Sequence, residues 1–217
     1  NGEGRIFALI NLSKSPGRVV SYSDQGRQGE FWVNPLGRKF TGLAVDGVNQ
    51  AVYIGDATGT IYALDRGGGA GGSLKSFVEI RAAPGEENEL GPMAVDNRHK
   101  RLFVVDREGD AIFRVDLTKR TIARDSLQPS LGTPRALALG PGGDRLYIAD
   151  SSRRRVWVFW PDTSPPRREI FAAGHKFRSP SALTVDRYEQ LWIADEDAGK
   201  IFVFSSDGSL LDTLPEK

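Results

Sequence analysis

The sequence predicts an all-β fold, a β-propeller of five blades with four antiparallel strands in each. Three observations carry that expectation. A motif of the form Leu-Tyr-Ile-Ala-Asp recurs along the chain and places Asp56, Asp106, Asp150 and Asp195 at intervals of 50, 44 and 45 residues. Around each copy the same neighbours return, a small apolar run before it and a β-branched or aromatic run after it. Four short strands in a repeat of roughly 40 residues is the pattern of a propeller blade, where radial repetition leaves only short sheet edges.

With strands lettered A to D from the axis outward, the A strands are the small runs Gly42-Leu43-Ala44-Val45-Asp46, Pro92-Met93-Ala94-Val95-Asp96, Ala136-Leu137-Ala138-Leu139 and Ala182-Leu183-Thr184-Val185-Asp186. Small side chains suit the crowded position nearest the axis. The B strands are Val52 to Asp56, Leu102 to Asp106, Leu146 to Asp150 and Leu191 to Asp195. The C strands, Thr60 to Leu64, Ala111 to Val115, Arg155 to Phe159 and Lys200 to Phe204, are rich in β-branched and aromatic residues, as strands are. Weaker D strands follow, as in Ser76 to Ile80 and Arg168 to Phe171. Trp157, Trp160 and Trp192 occupy positions that hold aromatic residues in other blades, which assigns them to packing between blades. The blades fall at about 5–36, 40–81, 90–125, 134–173 and 180–215 of one domain spanning 1–217.

The first blade is short. Its B strand is Ile6 to Ile10, followed by Asn11 where the other copies have Asp, and only Asn1 to Gly4 precede it. That leaves no residues for an inner strand. The sequence is then part of a larger protein, with six blades in the parent, or has a three-stranded first blade, or has its gap filled by another segment.

The repeated Ala-Val-Asp, then Leu-Tyr-Ile-Ala-Asp, then Arg-Val-Trp-Val, resembles the NHL-repeat propellers and their relatives, the YWTD repeats and the gluconolactonase (senescence-marker) group. The chain departs from the usual NHL pattern in the turn after the Asp, where an Asn-Arg pair is common. Here the turns read Ala57-Thr58-Gly59, Arg107 to Asp110, Ser151 to Arg154 and Glu196 to Gly199. The gluconolactonase resemblance implies a metal-dependent lactonase with acidic and amide ligands converging on the axis. The first residues of the A strands, Thr41, Gly91, Arg135 and Ser181, include no carboxylate. The related amidating lyases use histidine and zinc, whereas His99 and His175 fall on opposite faces and read as surface residues. No metal, cofactor or catalytic residue is therefore expected.

Composition narrows the classes further. The chain has 29 Lys+Arg against 28 Asp+Glu and no cysteine, which excludes disulfide scaffolds, thiol catalysis and cysteine metal sites. No apolar run reaches the roughly 18 to 20 residues of a membrane span, so a soluble chain without a span is expected. An exported or organelle-lumenal setting is preferred. The glycine-rich run Gly67 to Gly72 opens no helix and has no following Lys-Ser/Thr, so it reads as a hairpin tip and not a phosphate cradle. Asp56, Asp106, Asp150 and Asp195 read as caps of their own turns.

Charge in the loops is polarised. Glu86, Glu87, Glu89, Glu108 and Asp110 gather on the third blade and the loop entering it; Arg153, Arg154, Arg155, His175, Lys176 and Arg178 gather on the fourth blade and the loop leaving it. The acidic sector opposes nucleic acid, and the pattern fits a protein partner. Such a partner also has a route to completing the first blade by strand addition. The function expected from sequence is a non-enzymatic scaffold or binding module acting through the charged loops of blades three and four. The alternatives are a metal-dependent hydrolase or lyase of the gluconolactonase or amidating-lyase type, and an exported ligand-sensing domain.

Overall fold

In a computed structural model of the protein, which describes residues 5–11, 16–23, 25–34, 37–49, 51–65, 73–81, 89–107 and 110–215, the regular elements are strands. Among the described residues there are nineteen of them in five sheets. The fold is an all-β propeller of five blades. No helix among the described residues is long and apolar enough to cross a membrane. The chain divides into two compact units, Asn1–Leu90 and Gly91–Lys217.

The N-terminal unit holds two blades. The first has three strands, β1 (Arg5–Ile10), β2 (Arg18–Ser23) and β3 (Gln28–Val33), in the order β1-β2-β3. The second has four, β4 (Phe40–Asp46), β5 (Ala51–Asp56), β6 (Thr60–Asp65) and β7 (Ser73–Glu79). β1 lies against β4, the position a B strand takes toward the next blade's A strand. Asn11 explains its own identity there. Its Nδ2 donates to the Phe40 carbonyl at 2.5 Å, and its Oδ1 accepts from the Phe40 amide at 3.1 Å. An aspartate could accept but not donate. The core of this unit is Val19, Trp32, Phe40, Val52, Ile54, Tyr62 and Leu64. The run 67–72 lies outside the described residues.

The C-terminal unit holds three four-stranded blades: β8 (Leu90–Asp96), β9 (Arg101–Asp106), β10 (Ala111–Asp116) and β11 (Ile122–Ser126); β12 (Pro134–Leu139), β13 (Leu146–Asp150), β14 (Arg155–Trp160) and β15 (Arg167–Phe171); β16 (Pro180–Val185), β17 (Leu191–Asp195), β18 (Lys200–Phe204) and β19 (Leu210–Leu214). β13 is buried along its whole length. That requires apolar side chains on both of its faces, and Leu146, Tyr147, Ile148 and Ala149 supply them. Trp157 is buried in the core shared by the third and fourth blades.

Two devices recur from blade to blade. The first is a β-bulge at the second residue of the A strand. Thr41, Arg135 and Ser181 are each the extra residue between two regularly paired neighbours, Phe40/Gly42, Pro134/Ala136 and Pro180/Ala182. The second is an arginine opening the B strand that reaches into the next blade. Arg101 donates to the Gly143 carbonyl (3.1 Å) and with two nitrogens to the Asp162 carboxylate (2.6 Å each). Arg145 repeats the reach, to Glu189 (3.3 Å) and the Ser206 carbonyl (3.4 Å).

Candidate functional site

The repeated aspartates are buried and serve the backbone. Asp56 accepts from the amides of Thr58 (2.9 Å) and Thr60 (3.1 Å) and from the Tyr62 hydroxyl (3.1 Å). Burial, reinforced by the Asp56 charge, pushes the Tyr62 phenol above its ordinary range. Asp150 accepts from the amides of Gly132 (2.9 Å) and Thr133 (3.0 Å) and from Trp157 Nε1 (3.2 Å). Asp195 accepts from the amides of Arg178 (2.7 Å), Ser179 (2.8 Å) and Ala198 (3.2 Å). Asp56 therefore fixes its own turn, and Asp150 and Asp195 fix both their own turn and the loop that delivers the A strand. Asp106 is equally buried. A second series, overlooked in the sequence, ends the A strands. Asp46 holds the amides of Val48 and Asn49, and Asp186 those of Tyr188 and Gln190. Asp96 takes the same place in the third blade, with His99 Nδ1 at 2.7 Å and Arg101 Nε at 2.7 Å. Its signal was the Asp closing three of the four A-strand runs.

The loop charges behave differently from one another. Glu86, Glu87 and Glu108 lie outside the described residues. Asp110 is bonded to Arg124 at 2.8 Å, and Glu89 is partly buried. Arg153 turns back toward Asp150, with Nε 3.7 Å from the carboxylate, and the Arg178 guanidinium reaches the Asp197 carbonyl at 3.4 Å. Arg154, Arg155, His175 and Lys176 do converge, around a groove that Ile170, Phe171 and Phe177 also line. His175 is not the surface residue expected. Its ring lies 4.5 Å from those of both Phe177 and Phe202 and 5.2 Å from Phe204. Burial among these rings, partly opposed by the Asp195 charge, depresses its pKa. The sequence could not show this, because Phe202 and Phe204 belong to the following blade.

The A-strand bulges present polar side chains, and that of Arg135 meets the next blade. A bulge re-aims a side chain, and bulges cluster beside active sites. In the C-terminal unit the bulged A-strand residues are Arg135 and Ser181, and a further bulge leaves Leu211 on the outer strand β19. Arg135 donates to Glu196 Oε2 at 3.4 Å, the pair being about half exposed at 49% and 64%. Glu196 follows Asp195 directly and is held by its amide bonding the Ser179 carbonyl at 3.0 Å. The Ser181 hydroxyl reaches the Ala194 carbonyl at 3.4 Å. In the third blade the same position is Gly91, where a Cβ would stand 2.8 Å from the Val105 carbonyl oxygen. An exposed carboxylate can take a proton, and the guanidinium beside it can steady a developing negative charge.

The family model described as "SMP-30/Gluconolactonase/LRE-like region" matches residues 90–217, more than half of the sequence. The chain belongs to this family. Among solved structures it is similar to virginiamycin B lyase from Staphylococcus aureus (14% identity, TM-score 0.70), covering 97% of this chain and 66% of that one. It is also similar to a gluconolactonase from Xanthomonas campestris (20% identity, TM-score 0.67; 89% and 67% covered). A protein of unknown function from Bacteroides thetaiotaomicron gives 19% identity and a TM-score of 0.75, with 97% and 55% covered. No curated protein matches the sequence. The chain thus spans about two thirds of the length of the first two structures and 55% of the third. Identities this low show the fold alone, and the resemblance to the gluconolactonase side of the propeller group stands.

The family corrects the expectation of a non-enzymatic scaffold working through the charged loops of blades three and four. That reading gave weight to the absence of carboxylates at the A-strand starts, although a neighbouring turn, that of Glu196, supplies one there. The metal implied by the gluconolactonase resemblance does not fit the residues present. The second positions of the A strands in the C-terminal unit hold a glycine, an arginine and a serine, and a guanidinium repels a cation. Among the described residues no three His, Cys, Asp or Glu side chains gather into a metal site.

Proposed function

We propose that this family member is an enzyme, a hydrolase or lyase that opens a lactone or comparable ester, with Glu196 and Arg135 as its working pair. The family match over 90–217 carries the reading, and the solved neighbours named as a lyase and a gluconolactonase support it. Hydrolysis and elimination of an ester share two demands: a base for a proton, and a cation where the carbonyl oxygen gains charge. In the hydrolytic form, Glu196 takes a proton from water as the water oxygen bonds to the carbonyl carbon. The resulting oxyanion faces Arg135. Collapse re-forms the carbonyl and breaks the ring C–O bond, and the departing oxygen takes the proton back from Glu196. The products are a carboxylic acid and an alcohol on one molecule, so no other reactant is needed.

The test is a panel of sugar and aliphatic lactones followed by pH-stat, with products identified by mass. Turnover that falls by a factor of about 10² to 10⁴ in Glu196→Gln, with folding unchanged, is the expected result. Turnover equal in Glu196→Gln and the unaltered protein would remove this pair from the reaction. No turnover of any ester by the unaltered protein would remove the enzymatic reading.

A further inference from the structure

We infer that the groove beside β14, β15 and the loop 172–179 is a binding site for a small organic carboxylate with an apolar body. The groove has a volume of about 320 Å³ and is lined by Arg154, Arg155 and Lys176 over Ile170, Phe171 and Phe177, with His175 at one side. It shares no residue with the Arg135–Glu196 pair and goes beyond the proposed reaction.

The first support is local strain. The residue just before the C strand is Gly59 (φ 88°) in the second blade and Gly199 (φ 62°) in the fifth, glycines in the left-handed region. In the fourth blade the same place is held by Arg154 at φ 56°. A side chain there costs stability that glycine does not, and such outliers mark functional positions. The strained turn sets Arg154 and Arg155 on the groove.

The second support is composition. Among the described residues, no carboxylate lies within ion-pair distance of Arg154, Arg155 or Lys176, whereas Arg101, Arg124 and Arg167 all have one. The three cations line one groove, with Arg155 also over the Trp157 ring at 5.9 Å, so an anion there would be attracted by all of them. The floor is apolar, with Phe171 and Phe177 buried, so a hydrated ion such as phosphate would leave it unused. His175 closes one side of the groove, its ring packed on those of Phe177 and Phe202. An aromatic or alicyclic carboxylate satisfies both the cations and the apolar floor.

The experiment uses the whole chain, titrated calorimetrically with benzoate, acetate, inorganic phosphate and benzyl alcohol, alongside Arg154→Gly and Lys176→Gln. Benzoate should bind with a Kd of about 1 mM, at least fivefold tighter than the other three by that scale. Each substitution should weaken it by about threefold or more. Arg154→Gly should at the same time raise Tm by about 2 to 4 °C, since it removes the strain. Weaker binding in a more stable protein separates loss of a ligand contact from loss of fold. Phosphate or benzyl alcohol binding as tightly as benzoate, benzoate affinity unchanged by both substitutions, no saturation by about 50 mM benzoate, or a lower Tm in Arg154→Gly would each overturn the proposal. Because Glu196 and Arg135 are untouched, lactone turnover in the same samples reports on the reaction separately.

Discussion

Replacing Arg101 by methionine should be among the most damaging single changes outside the apolar core. The Arg101 side chain is only 14% exposed and Asp96 only 2%, while Asp162 is half exposed. Methionine keeps most of the stem's volume and removes every donor. Two losses follow. Asp96 stays buried with His99 and loses a charge-assisted hydrogen bond of 2.7 Å, a loss of about 2 to 3 kcal/mol. The bidentate contact to Asp162 is worth about 1 kcal/mol once its exposure is allowed for. The sum is about 3 to 4 kcal/mol. At roughly 2 to 4 °C per kcal/mol for a chain of this size, calorimetry should show the transition of the C-terminal unit about 6 to 16 °C lower. A decrease under about 2 °C would refute the idea that this arginine clamps the third blade to the fourth.

The same cluster fixes a pH dependence. Burial pushes the Asp96 carboxyl up, but hydrogen bonds from Arg101 and His99 outweigh it and leave the pKa below its ordinary value. Asp162 is lowered too, chiefly by its hydrogen bonds from Arg101. A carboxylate with a folded pKa below the unfolded one adds stability above the unfolded value, about 3.9, and loses it as pH falls through the folded one. Melting of the native chain should therefore sharpen its fall below about pH 4. In Arg101→Met that acid dependence should flatten; an identical pH profile in the two proteins would count against the assignment.

Three further substitutions separate the devices of the fold. Arg145→Met removes the sister clamp, but its partners Glu189 and Asp144 are at least half exposed, so chemical denaturation should show a loss of only about 1 kcal/mol. Asp150→Ala leaves the Gly132 and Thr133 amides and Trp157 Nε1 without their acceptor, and the same measurement should register about 2 to 4 kcal/mol. Asn11→Asp keeps the acceptor and sets a carboxylate against the Phe40 carbonyl. Hydrogen exchange at β4 should quicken by about tenfold, and unaltered protection there would show that the amide does not anchor this blade.

The propeller was legible because its signal is local and repeated. Small A strands, B strands ending in Asp and aromatic C strands are each set by burial within one blade. The short first blade was legible too, since a missing strand is a matter of counting. What the linear sequence hid depends on the next blade. Arg101 meets Asp162 61 residues away, His175 meets Phe202 and Phe204, and Glu196 meets Arg135 61 residues away. The bulge at Arg135 and Ser181 was hidden for another reason. It is a shift in pairing register, which residue types alone do not announce.

The near-zero net charge also acquires a physical reading. Much of the charge in the C-terminal unit is spent internally, with Arg101 on Asp96 and Asp162, Arg114 on Asp125 (3.0 Å) and Arg124 on Asp110. Part of the balance of 29 cations against 28 anions is thus self-pairing within and between blades. An internal network of this kind stiffens the sheets, and a stiff frame is what keeps a re-aimed side chain such as Arg135 within reach of Glu196. It also sets apart the groove at Arg154, Arg155 and Lys176. There three cations stand together over buried aromatic rings, beside a turn that holds an arginine where its sister blade holds a glycine. A carboxylate ligand would pair with them as Asp96, Asp162, Asp125 and Asp110 pair with arginines elsewhere in the unit.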